Sequence, residues 1–168
     1  MKKKYEFEKY PKVLNVIAEE LSLTRSEISK SIYKEGTEYY RGDDEHQISK
    51  IGILAELIAR NFISEKNFDT RVRFAKMIDI KPVQTPDAEL FTGEKKTKFD
   101  IKGVGIRNKM FAVNYKSHNN EKKKVDMYWF IHIDMHNSFA KHIFFKYDDV
   151  SNWEVKKLKY TEAYVCPI

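Results

Sequence analysis

The chain has 168 residues, enough for one domain with a real core or for a core domain with a small appendage. Its net charge of +6 suits a polyanionic partner, while the single cysteine, Cys166, excludes an internal disulfide and fits a reducing compartment. No apolar stretch is long enough to cross a membrane and the start MKKKYEFEKYPK lacks the apolar centre of a secretion signal, so a cytoplasmic protein is expected.

The first third reads as helical. Pro11 stands where a helix can begin, and Val13, Leu14, Val16, Ile17 and Leu21 follow at helical spacing. Leu23-Thr24 reads as an interruption, with a second short helix carrying Ser26, Glu27, Ile28 and Ile32 up to Gly36. Residues 37–47 are polar and read as a connector. A stronger helix is expected from about Ile48 to Ile63, where Ile51, Leu54, Ala55, Ile58, Ala59 and Phe62 form a broad apolar stripe.

From about Thr70 the period changes to that of strands. TRVRFAKMIDI reads as the first, and KPVQTPDAELFTGEKK, with two prolines and a glycine, as a turn-rich linker. Further strands are expected at about 97–105, 109–117, 125–134 and 141–147, and DDVSNWEVKKL as a short closing helix with Asp148 or Asp149 near its N-cap.

The run FDIKGVGIRNKMFAVNYKSH carries most of the chemistry. It sets Asp100 on one strand and Asn114 and Lys116, two apart and so on one face, on the next, joined by the polar turn Arg107-Asn108-Lys109. An acid, an amide oxygen and an ammonium brought together by an antiparallel pair suit metal-dependent phosphodiester chemistry. Glu56, a lone acid beside the apolar stripe of the long helix, needs a partner if it is withdrawn from water.

The order of helix, acid strand and lysine strand resembles the PD-(D/E)XK nuclease superfamily, over about residues 48–155. The resemblance implies an α+β, restriction-endonuclease-like core at residues 46–168, a helix on a mixed, largely antiparallel sheet, preceded by a small helical segment at 1–45. It implies a catalytic set of Glu56, Asp100, Asn114 and Lys116, with Glu56, Asp100 and Asn114 holding Mg²⁺ or Mn²⁺. Asn114 departs from the family pattern, since an amide brings no charge. Two other registers fit the letters: Pro86-Asp87 with Asp100-Ile101-Lys102, and Asp79-Ile80-Lys81. The register ending in Lys116 is preferred because it uses the two best-formed consecutive strands, and Asp100 is common to it and to the Pro86-Asp87 register. A helix between the lysine strand and the next strand, common in the superfamily, finds too few residues between Lys116 and Lys124.

The segment VLNVIAEELSLTRSEISKSI is similar to a helix-turn-helix, with Ser22 where a turn glycine is usual. In that likeness Arg25, Ser26, Ser29 and Lys30 face the DNA while Ile28 and Ile32 pack inward. His132, Asp134 and His136, alternating along one strand with His142 nearby, could bind zinc, but Ile133 and Met135 beside them read as core and the histidines fall at a strand end. The expected function is a metal-dependent endodeoxyribonuclease acting on double-stranded DNA, of restriction or homing type and acting as a homodimer. The alternatives are a catalytically degenerate DNA-binding regulator or phage-type inhibitor, or an interaction module using Tyr39, Tyr40, Tyr128 and Trp129.

Overall fold

The computed structural model describes residues 3–4, 6–34, 41–65, 71–74 and 86–168. Strands β1 (Lys3–Lys4) and β2 (Glu8–Lys9) precede helix α1 (Val13–Ile32), which follows Pro11. Helix α1 runs unbroken through Leu23 and Thr24, so the chain forms no helix-turn-helix there. Ser22 and Ser26 make the continuity possible. Their hydroxyls donate back to the carbonyls of Glu19 and Leu23, at 2.8 and 3.0 Å, so both can be buried. With Ala18 they form a row of small buried residues four apart, against which α2 (Glu45–Glu65) packs.

After α2 come β3 (Arg71–Phe74), β4 (Ala88–Thr92) and β5 (Lys95–Gly105). Residues 88–92, expected as linker, are thus a strand. Ala88 and Leu90, two apart, join the core from it, and Gly93 at φ 59° supplies the left-handed residue that turns β4 back into β5. Beyond β5 lie β6 (Met110–Asn114), the one-turn helix α3 (Tyr115–His118), β7 (Met127–Asp134) and β8 (Phe139–Lys146). The short helix α4 (Tyr147–Ser151), β9 (Glu154–Lys157) and β10 (Glu162–Pro167) complete the chain. Asp149, in the first turn of α4, accepts from the Lys146 N–H at 3.2 Å, while the expected closing helix ends at Ser151 and its remainder, Glu154–Lys157, forms β9 instead.

The fold is α+β in three layers. A mixed sheet in the order β1-β8-β7-β5-β4-β3, with β2 also on β8, forms the middle layer. All its described pairings are antiparallel except β5 with β7. The helices cover one face, where Ile53, Leu54, Ile58 and Phe62 meet Phe99, Ile101, Trp129 and Ile131. Because side chains alternate, Tyr128, Phe130, Phe145 and Val104 point the other way. They pack against Phe111, Val113 and Tyr164 of a second sheet, ordered β6-β10-β9.

This layering overturns the expected hairpin between the acid strand and the next. The chain leaves β5 at Gly105 and crosses to the second sheet, where β6 pairs with β10. The neighbour of β5 is instead β7, in parallel. Among the described residues no helix is long and apolar enough to cross a membrane.

Candidate active site

Strand β4 stops at Ala88, opposite Phe99, so beyond that point β5 is flanked on one side by β7 and, among the described residues, by no strand on the other. Asp87 lies one residue outside β4 and fills this gap. Its Oδ2 accepts the Ile101 N–H at 2.8 Å, taking the place of a ladder hydrogen bond. Asp100, next along β5, is its cross-strand neighbour. The Lys102 Nζ, two residues on and therefore on the same face, lies 2.8 Å from both oxygens of Asp100.

Helix α2 brings a third acid. Gly103 lets it come close: a Cβ there would lie 2.4 Å from the Ile51 carbonyl oxygen. One turn further along α2 stands Glu56, its side chain 12% exposed, with Arg25 of α1 at 3.5 Å. Glu56, Asp87, Asp100 and Lys102 act on one another electrostatically. Burial, then the charges of Asp100 and Glu56, push the Asp87 carboxyl well above the usual carboxylate range. Burial also raises Glu56, against the opposing charges of Arg25 and Arg60. Burial pulls the Lys102 ammonium down, but the charges of Asp100, Asp87 and Glu56 overcome it and hold it above its ordinary value.

Among the described residues, no three His, Cys, Asp or Glu side chains converge into a ready metal cage. Glu56 is engaged with Arg25, and Asp100 with Lys102. The donor set has the chemistry that suits a hard divalent cation: carboxylate oxygens concentrated where water is partly excluded.

Of the residues singled out in the sequence, Glu56 and Asp100 lie close enough to act on each other electrostatically, and Asn114 and Lys116 do not join them. Asn114 sits at the end of β6 in the second sheet, where its Oδ1 accepts from the Ser117 N–H at 2.9 Å and its Nδ2 donates to Thr161 Oγ1 at 2.8 Å. It is the cap of α3, and Lys116 is exposed on that helix. Asp87 and Lys102 take the positions given to them in preference, and they are the Pro86-Asp87 and Asp100-Ile101-Lys102 register. The signal that would have favoured it is the pair Ala88 and Leu90, two apart and followed by Gly93, which makes Asp87 the residue leading into a strand. The Asp79–Lys81 register lies outside the described residues.

The four residues assigned to DNA reading are also redistributed by the continuous helix. Arg25 faces Glu56, Ser26 is buried against α2, Ser29 is half-buried and Lys30 is exposed. The zinc set is not assembled. His132 is buried, Asp134 accepts from Asn137 Nδ2 at 2.8 Å to close a turn, and His136 is exposed in that turn. His142 lies on the opposite face of the sheet, accepting from Trp129 Nε1 at 3.0 Å and stacked on Phe62. Tyr128 and Trp129, expected on a contact surface, are both buried, and Tyr39 and Tyr40 lie outside the described residues.

No family model, curated protein or solved structure matches the chain.

Proposed function

We propose that the protein is a metal-dependent endodeoxyribonuclease of the PD-(D/E)XK type, with Glu56, Asp87, Asp100 and Lys102 as its working residues. The observation that carries this reading is the meeting of Asp87, Asp100 and Lys102 where β4 ends beside β5, with Glu56 adding its charge from α2. The literal letters of the motif and the local geometry agree on the same side chains.

Asp87 and Asp100 would hold the cation, with Glu56 completing the set directly or through water. A bound Mg²⁺ or Mn²⁺ would supply a Lewis acid for the phosphate and lower the pKa of a coordinated water. Lys102 would orient that water and offset charge on the phosphate, as its contact with both Asp100 oxygens keeps its ammonium beside the acids. Double-stranded DNA is the proposed substrate, which the net charge of +6 favours electrostatically. Cutting both strands calls for two such sites and so for a homodimer.

The alternative of a degenerate DNA-binding protein drew its support from Asn114. That residue now has a complete structural role as a cap, and the acid–acid–lysine set lacks no charged member.

The test is incubation of purified protein with supercoiled plasmid, with and without Mg²⁺ or Mn²⁺. Metal-dependent nicking or linearisation is expected, falling by about 10²-fold or more in Asp100→Ala and Lys102→Ala. Asn114→Ala and Lys116→Ala are expected to keep cutting. Equal activity in Lys102→Ala and wild type, or a loss confined to Lys116→Ala, would remove this assignment.

A further inference from the structure

Arg25, from outside the motif, holds Glu56 by a single contact. One guanidinium nitrogen lies 3.5 Å from one carboxylate oxygen, at the outer limit of a hydrogen bond, and the Arg25 side chain is 39% exposed. Such a pair adds little to the union of α1 with α2, which the Ala18, Ser22 and Ser26 row already provides. Glu56, at 12% exposure, nevertheless needs a counter-charge. The two partners are therefore unequal: the acid is fixed and withdrawn, while the base is long, half-free and reaches solvent with most of its five donors uncommitted.

We propose that Arg25 is a positioning residue that exchanges partners. It holds Glu56 in the metal-free protein and turns to a non-bridging phosphate oxygen of bound DNA once a divalent cation shares Glu56. The inference rests on the nuclease reading above and adds to it that α1 contributes to phosphate binding through its flank, with no recognition helix. The guanidinium matches a phosphate better than a lone carboxylate oxygen at 3.5 Å, because its forked donors can bond two phosphate oxygens at once. Metal and Arg25 then compete for Glu56 before DNA arrives and cooperate once it is bound.

This competition can be read without catalysis. Mn²⁺ is titrated into DNA-free wild type, Arg25→Ala and Arg25→Lys, with free Mn²⁺ followed by electron paramagnetic resonance. Arg25→Ala is expected to bind Mn²⁺ about 5-fold tighter or more, because the Arg25 contact no longer competes for Glu56. In plasmid cleavage the same variant is expected to raise the KM for DNA by about 10-fold at saturating Mn²⁺, with Arg25→Lys recovering part of both effects. In Glu56→Gln, adding Arg25→Ala should leave Mn²⁺ affinity unchanged, since the competed group is gone. Wild type that binds Mn²⁺ and cuts, with an Arg25→Ala variant of equal or weaker Mn²⁺ affinity, overturns this inference alone. Wild type that neither binds Mn²⁺ nor cuts overturns the nuclease reading and this inference with it.

Discussion

Asp87 and Asp100 stand side by side where β4 ends beside β5, each held by its own partner: Asp87 accepts the Ile101 N–H at 2.8 Å, and the Lys102 Nζ lies 2.8 Å from both oxygens of Asp100. Burial, and then the charges of Asp100 and Glu56, raise the Asp87 carboxyl well above the ordinary range. Asp87 therefore keeps its proton to a higher pH than an exposed aspartate would.

The linkage has a definite sign. A carboxyl with a raised folded pKa contributes fully to stability below its unfolded pKa of about 4, and that contribution is lost as pH climbs toward the folded value. Asp87→Asn keeps the Ile101 hydrogen bond, accepting through its amide oxygen, without the titration. Its melting temperature in EDTA should exceed that of wild type by roughly 2–4 °C at pH 7.5, and the difference should vanish toward pH 4. Plasmid cutting by the same variant should fall by about 10²-fold or more. A melting temperature below wild type across that range would count against a raised Asp87 carboxyl.

Gly103 sets how closely α2 approaches β5. An added Cβ would meet the Ile51 carbonyl oxygen at 2.4 Å and the carbonyl carbon at 2.9 Å, and backbone atoms cannot swing aside. Gly103→Ala is expected to cost about 1–3 kcal/mol in a urea melt and to lower cutting beyond that loss, because displacing α2 moves Glu56. Gly52→Ala is the internal control. It lies in α2 with nothing within 4 Å of its added Cβ, so it should gain about 0.5–1 kcal/mol.

The sequence carries the long helix α2 and five of the ten described strands, β3 and β5 to β8, because their periods are local. The α2 stripe and the β7 and β8 aromatics declare themselves within a few residues. What it does not carry is which strand neighbours which. The polar turn at residues 107–109 looks like a hairpin, yet β6 joins β10 from the far end of the chain, and no local pattern encodes that pairing. The same limit governs the candidate site. Asp100 and Glu56 stand out as acids beside apolar runs, whereas Asp87 is hidden in a segment whose prolines and glycine suggest a loop. Arg25 is legible as basic, but its partner is visible only once Ser22 and Ser26 are known to be buried within one helix.

Asn114 is expected to behave as structure. It caps α3 through the Ser117 N–H at 2.9 Å and ties β6 to Thr161 at 2.8 Å. Asn114→Ala should lose about 1 kcal/mol by urea denaturation, the ordinary worth of a cap, with specific activity of the folded fraction unchanged. Asn114→Asp should retain most of the stability, since a carboxylate still accepts from Ser117. A variant that keeps full stability but loses Mn²⁺-dependent cutting would return Asn114 to the metal site.

His118 makes the protein sensitive to acid through a group other than the carboxylates. It is 2% exposed, with Nδ1 2.8 Å from the Tyr128 hydroxyl, Nε2 2.9 Å from Ser151 Oγ, and its ring stacked on Tyr147 at 4.0 Å. Burial, and then the charge of Lys124, lowers its pKa, so the fold prefers the neutral ring. Stability from this group is complete above the unfolded pKa of about 6.5 and is lost as pH falls from there toward the folded value. His132, also buried and lowered, adds a slope of the same sign. His118→Gln should melt below wild type at pH 7.5, by the roughly 1–3 kcal/mol of poorly satisfied Tyr128 and Ser151 hydroxyls. The gap should narrow as pH is lowered from 7 to 5, because only the wild type carries the His118 penalty and both keep that of His132. Parallel melting curves for the two proteins across that range would show that His118 does not titrate differently on folding.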